Sequence, residues 1–385
     1  MKRVALKRTG FTLLALLLGV GLTYGLTYVG KQTEGPLEDA LENVSTGVSH
    51  LETHYILAHR EHTRPQELAW FAPYRSSLPR LRHPDRILLG AFDNNTTESL
   101  EPILTLESSL HTRLPIIQLY SAWGSKAEQA FPLQQVEAIS NLGSLPLITW
   151  EPWLSDFAPE TLPDSLANAK TRDKAGMRAV TAGSFDAYLD RWAAAAKKVG
   201  RPLLVRLGHE MNDPYRYPWG PQNNAPQDFI AAWQHVVGRF RQQGATNVLW
   251  VWSPHPAYPF ADYYPGDAFV DWVGVGTLNY GTVAAWSQWW SFTDIFGKHY
   301  PQLATYKKPI MLTELGSLQV GGSRSEWFAE ALANLPTKYP LVKSVVFYHN
   351  SSDNTTTMKV LDWTFKDDKE ATKSIAQAMK TWNGK

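Results

Sequence analysis

The chain has 385 residues, 44% hydrophobic and 19% charged, enough apolar material for a large core and too much for a disordered or fibrous protein. A formal net charge of +1 leaves no electrostatic footprint for nucleic acid and favours a neutral ligand. There is no cysteine, so disulfides, thiolate metal sites, cysteine nucleophiles and a lipidated amino-terminal cysteine are excluded together.

Lys2, Arg3, Lys7 and Arg8 precede an uncharged run from Phe11 to Val29, about long enough to cross a bilayer as a helix. The basic flank puts the amino terminus in the cytoplasm and the bulk of the chain outside, in the periplasm or at the cell surface. A cleaved signal peptide has a shorter apolar region and ends in small residues, whereas this run ends Gly25-Leu26-Thr27-Tyr28-Val29-Gly30. Residues 1–30 therefore read as a transmembrane or signal-anchor helix, and the protein as secreted only if that segment is cut. Residues 31–80 read as a helical connector. Leu37, Leu41, Val44, Val48, Leu51 and Tyr55 recur at heptad spacing, but over fewer than three heptads and across Gly47. Packing on its own domain is expected rather than a self-associating stalk.

From residue 81 to 385, short apolar runs alternate with longer amphipathic segments, the pattern of parallel strands joined by helices. The runs are RILLGAF (86–92), LPIIQLY (114–120), LPLITW (145–150), PLLVRLG (202–208), NVLWVW (247–252), VDWVGVG (270–276), KPIMLTE (308–314) and SVVFYH (344–349). Helical periodicity lies between them, as in SFDAYLDRWAAAAKK and in APQDFIAAWQHVVGRFRQQG, which stops at Gly244. Eight such pairs predict an α/β fold, a (β/α)8 TIM barrel, and no glycine-rich phosphate loop argues for an open doubly wound sheet. WSQWWSF (286–292) is expected to be a helix packed on the barrel.

Barrel sites are built where strands end. Glu210 lies just past the fourth run and Glu314 closes the seventh. A lone carboxylate beside a buried strand is costly unless used or paired, and two at matching ends point to function. Cleaving a glycosidic bond takes a proton for the leaving oxygen and stabilisation of positive charge on the sugar carbon, tasks that two carboxyl groups about 5 Å apart share in double displacement. Tyr215, Tyr217 and Trp219 follow Glu210 and are expected to form an apolar wall that keeps the acid protonated, while Tyr280 is expected to donate its hydroxyl to Glu314. Trp150 and Trp153 are candidates for the floor of a sugar subsite. Glu151 between them is assigned to the loop, supporting other residues at best. His209 beside Glu210 has no H-E-x-x-H spacing, so neither metal nor cofactor is expected.

The segment RLGHEMNDPYRYPWG (206–220) resembles the acid/base segment of glycoside hydrolase family 26. The stretch from Val248 to Gly281 and KKPIMLTELGS are similar to that family's fifth to seventh strands. The resemblance implies a retaining barrel glycosidase acting on a β-linked polysaccharide, with Glu210 as acid/base, Glu314 as nucleophile, and His209, Arg206, Trp219 and Tyr280 shaping the site. Tyr217, Trp150 and Trp153 join them as candidate substrate-binding residues. Endo-β-1,4-mannanase is the commonest activity of the family, with mixed-linkage β-1,3-1,4-glucanase and β-1,3-xylanase as alternatives. His255 in WSPHP and Leu278 in GTLNYG depart from its pattern near the substrate face. A different class of function is a non-catalytic polysaccharide-binding barrel serving a polysaccharide synthesis or export assembly.

Overall fold

Each of the eight apolar runs is a strand in the computed structural model, which describes residues 62–95, 99–284, 287–333, 335–355 and 359–383. They are β1 Leu88–Asp93, β2 Ile116–Ala122, β3 Leu145–Glu151, β4 Leu203–Leu207, β5 Val248–Trp252, β6 Trp272–Asn279, β7 Ile310–Ser317 and β8 Val342–His349. All pair in parallel with their sequence neighbours, and β1 pairs with β8 to close the barrel. Strands covered on both faces read as continuous apolar runs, which is why they were legible.

The crossover helices are α1 Glu101–Leu110, α2 Leu133–Asn141, α3 Asp186–Val199, α4 Pro226–Gln242, α5 Tyr300–Ala304 and α6 Arg324–Ala333, with α7 Lys369–Lys380 after β8. Helix α4 starts with a proline at its first turn and buries Phe229, Ala232, Trp233, Val236, Val237 and Phe240, one stripe of a 3.6-residue period. Helix α3 stops where Gly200 takes a left-handed φ of 64°. The β5–β6 crossover departs from the expected pattern and carries two 3-10 turns, Ala261–Tyr263 and Asp267–Phe269. Pro254, Pro256, Pro259 and Pro265 fall in it, and each removes a helical donor. Residues 287–291 of the WSQWWSF segment are irregular rather than helical, and a single π-helical turn follows at Thr293–Gly297.

Three short helices, Arg64–Glu67, Ala72–Arg75 and Leu78–Arg82, close the floor of the barrel. Leu68, Phe71, Tyr74 and Leu81 are buried there against Leu88, Ile116, Leu145, Leu249, Trp272 and Met311 from the strands. Residues 64–80 are thus part of the barrel domain, and the expected boundary at residue 81 is corrected: apolar strand starts need a cover. All described residues belong to one unit of the chain, which begins at Glu52. The expected anchor at 1–30 and the heptad positions of the connector lie outside the described residues. Among the described residues no helix is long and apolar enough to cross a membrane.

Candidate active site

At the opposite end of the barrel from this floor, β7 carries one residue more than either neighbour. Val275 and Gly276 are consecutive on β6 but pair with Leu312 and Glu314, and Leu312 and Leu315 pair with Val345 and Phe347 on β8. An extra residue of this kind bends a strand and re-aims a side chain, here that of Glu314 into the mouth. Its Oε1 accepts a hydrogen bond from Nη1 of Arg206 at 2.5 Å and another from the hydroxyl of Tyr120 at 2.7 Å. Arg206 rises from β4 through the barrel interior, fully buried, with Nε on the Ser253 hydroxyl at 3.0 Å. Burial works to raise the Glu314 carboxyl, but the charge of Arg206 and these two hydrogen bonds outweigh it and hold Glu314 below the ordinary carboxylate value.

Glu210 follows Gly208, and both have left-handed backbones, with φ of 52° and 47°. Glycine adopts that conformation freely, whereas a glutamate is strained there, as residues at reactive sites often are. The turn is held by the Glu210 amide on the Ser253 carbonyl, 2.7 Å, and by the Asp213 amide on the Glu210 carbonyl, 2.9 Å. The carboxyl faces the cleft, where Arg216 donates to Oε2 at 2.9 Å. Burial raises its pKa, the positive charge of Arg216 opposes, and the negative charge of Glu314 adds to the rise. Two carboxyl groups pushed in opposite directions are suited to different proton-transfer roles. A Cβ placed on Gly276 would lie 3.3 Å from Oε1 of Glu210 and 3.6 Å from Oε2 of Glu314. Glycine at this point lets both carboxyl groups approach one spot.

The cleft has two halves, of about 370 Å³ and about 430 Å³, that share Arg216, Leu278, Tyr280 and Glu314. Glu151, Trp153, His209, Tyr217, Phe92 and Tyr348 line the first half; Glu210, His255, Tyr258, Trp290, Lys298 and His299 line the second. His209 is buried, and its Nε2 lies 2.9 Å from the Tyr217 hydroxyl. Burial, reinforced by the charges of Arg206 and Arg216, lowers its pKa well below the usual histidine value, so the imidazole is neutral.

The structure brings together Arg206, His209, Glu210, Tyr217, Tyr280, Trp153 and Glu314. It corrects three expectations. Trp150 is fully buried and stacks on Trp192 of α3 at 4.2 Å, outside the barrel wall, because residues alternate along β3: Thr149 points inward to Gln118 and Trp150 outward. Trp219 is also buried; its indole donates to the His209 carbonyl at 2.8 Å and its ring lies behind Tyr217, stacked at 4.6 Å. Tyr215, expected in the apolar wall, is 80% exposed. Tyr280 lines both halves with its ring edge-on to Trp363.

Three side chains of the cleft were missed. Tyr120 lies within the second apolar run and Arg216 between Tyr215 and Tyr217, and neither was singled out; Glu151 was assigned to the loop, although it ends β3 inside the cleft. Parity with Thr149 carried the signal for Glu151, and a cation within PYRYPW carried it for Arg216. Glu210, Asp213 and His255 bring one ligand-type atom each within 4.8 Å of the others, although the Glu210 carboxylate already has a cationic partner in Arg216.

A family model described as Glycosyl hydrolase family 26 matches residues 172–365. Endoglucanase H of Acetivibrio thermocellus is 30% identical over 294 residues, which cover 74% of this chain and 29% of that protein, so this chain spans under a third of that relative. Among solved structures, a family 26 β-mannanase from Bacteroides ovatus shares the fold at 16% identity and a TM-score of 0.55, covering 78% of this chain and 90% of that one. A mannanase from Bacillus subtilis does so at 19% identity and a TM-score of 0.53, covering 78% and 87%. The match over half the chain takes in β4 to β8 and both glutamates of the cleft, and the chain belongs to glycosyl hydrolase family 26.

Proposed function

We propose that the protein is a retaining, endo-acting glycoside hydrolase that cuts a β-linked polysaccharide by double displacement. Glu314 attacks the anomeric carbon while Glu210 gives its proton to the departing oxygen. The glycosyl ester formed on Glu314 is then hydrolysed by water, whose proton returns to Glu210. The observation that carries this reading is the shared position at Gly276. The oxygens of Glu210 and Glu314 lie 3.3 and 3.6 Å from one point, so they are no farther apart than the sum of those distances, a bound that admits the close spacing a covalent intermediate requires. A cleft that continues into two halves from Glu314 supports attack within a chain.

For the substrate, β-1,4-mannan is the reading drawn from the family resemblance. The likeness to an endoglucanase supports a β-glucan as the second. It bears more on this chain than mannanase structures at 16–19% identity, which speak to the fold alone. The full chain is to be assayed on galactomannan, glucomannan, lichenan and β-1,3-xylan, with the product anomer followed by NMR. Retention of configuration on one substrate, abolished by Glu314→Ala, is expected. Inversion, or a Glu314→Ala protein that keeps most of its turnover, would sink the mechanism, and silence on every substrate would favour the binding barrel. The basic residues before an uncharged Phe11–Val29 support an anchor that leaves the barrel outside the cytoplasm; alkaline carbonate extraction of membranes, from which an anchored chain is not released, tests it.

A further inference from the structure

The two halves of the cleft are not equivalent. Glu314 faces both, whereas Glu210 faces only the second. On the hydrolase reading, the proton of Glu210 goes to the departing chain, so the second half receives that chain. The first half holds the sugar whose carbon Glu314 attacks.

Glu151 stands in this first half with a carboxyl that the two-carboxylate mechanism does not use. Its Oε2 accepts from the Trp153 indole at 3.0 Å, while Oε1 has no hydrogen bond among the described residues. Oε1 lies 3.9 Å from Nδ1 of His209, which is buried and also has no hydrogen-bond partner among the described residues. That gap is too long for a direct hydrogen bond and short enough for one oxygen to reach both atoms. An unpartnered buried nitrogen is costly to keep, and this one stands across from a carboxyl oxygen at the wall of a sugar-sized cavity. Arg206 and Arg216 are engaged with Glu314 and Glu210 and do not pair with Glu151.

We propose that Glu151 is a substrate-binding residue whose Oε1, together with Nδ1 of His209, brackets one ring hydroxyl of the sugar that Glu314 attacks. This rests on the hydrolase reading of the cleft for its choice of sugar unit. A hydroxyl both donates and accepts, so it fits either tautomer of the neutral imidazole. Burial pushes the Glu151 carboxyl up to about 7, opposed by the Trp153 hydrogen bond and the charge of Arg206 and helped by that of Glu314. Near neutral pH the carboxyl therefore serves as donor or acceptor to the same hydroxyl. The family match begins only at residue 172, so nothing in it speaks for Glu151.

The competing account is that Glu151 merely anchors Trp153, and a double-mutant cycle separates the two. Binding of mannohexaose and of a β-1,3-1,4-glucan hexasaccharide is measured by calorimetry on the Glu314→Ala protein, alone and with Glu151→Ala, Trp153→Phe or both. Glu151→Ala is expected to weaken binding about 10- to 100-fold, and to do so equally when Trp153→Phe has already removed the indole N–H. Glu151→Gln, which keeps an acceptor for Trp153 and offers an N–H to the hydroxyl, should recover most of that loss. Glu151→Met, of similar volume, repeats the measurement if the alanine variant does not fold. A loss that vanishes in the Trp153→Phe background, or binding unchanged by Glu151→Ala, overturns the proposal, as does failure of Glu314→Ala to bind either probe. Turnover and binding are read separately: a Glu314→Ala protein that still cleaves overturns the double-displacement reading, whereas a binding loss that tracks Trp153 overturns this proposal alone.

Discussion

Arg216 donates to Glu210 at 2.9 Å, so the carboxyl with the raised pKa has a cation against it. The cation favours the ionised form, whereas a general acid works while protonated. Replacing Arg216 with Met should raise the Glu210 pKa further. Activity that depends on protonated Glu210 is lost as pH rises through its pKa, so the alkaline limb of kcat/KM should move to higher pH. A limb that stays in place, or moves down, would mean that Arg216 does not tune the acid.

Tyr120 acts on the other carboxyl in the opposite sense. Its hydroxyl at 2.7 Å helps to hold Glu314 ionised, and a nucleophile is lost as pH falls through its pKa. Tyr120→Phe should shift the acid limb of kcat/KM upward and lower kcat by about tenfold, the worth of one hydrogen bond to a charged group. An unmoved acid limb would show that Arg206 alone sets the Glu314 charge.

The Arg206–Glu314 pair is buried on both sides, so removing the cation leaves an uncompensated charge in the barrel mouth. Arg206→Met should cost about 3–5 kcal/mol of unfolding free energy at pH 7 by urea titration. In the wild type, the Glu314 pKa is depressed below its ordinary 4.5, so the stability it contributes is present above that value and lost as pH falls through the folded pKa. The gap between variant and wild type should therefore narrow on acidification below about pH 4.5. A gap independent of pH would point to lost packing instead.

Trp150 and Trp153 stand three residues apart on opposite sides of the wall. Trp150→Ala should cost about 3–5 kcal/mol of stability, since its ring is packed with Trp123, Tyr188 and Trp192, and should leave KM unchanged at temperatures where the protein is folded. Trp153→Ala should raise KM with little change in the melting midpoint. The reverse pattern would put the sugar surface on the wrong side of β3.

Much of this was legible because it follows from local rules. The strands announced themselves as buried runs, and Glu210 and Glu314 stood at strand ends, where a barrel puts its chemistry. What failed depended on closure. Tyr120 is 194 residues from Glu314, and only the ring of strands sets one across the mouth from the other. The Trp150 expectation erred by one residue of parity, and the same slip hid Glu151. Arg216 was visible as a cation among aromatic residues, but its partner depended on how the loop after β4 folds back over the cleft.

The left-handed backbone at Glu210 carries a last consequence. A side chain there is tolerated against its own conformational preference, and its carboxyl is tolerated against burial. Glu210→Gly, made together with Arg216→Met so that no unpaired cation is left in the cleft, should therefore melt at a higher temperature than Arg216→Met alone while losing its acid, so that the inert molecule outlasts the working one. In this barrel, durability and reactivity pull against each other at a single residue.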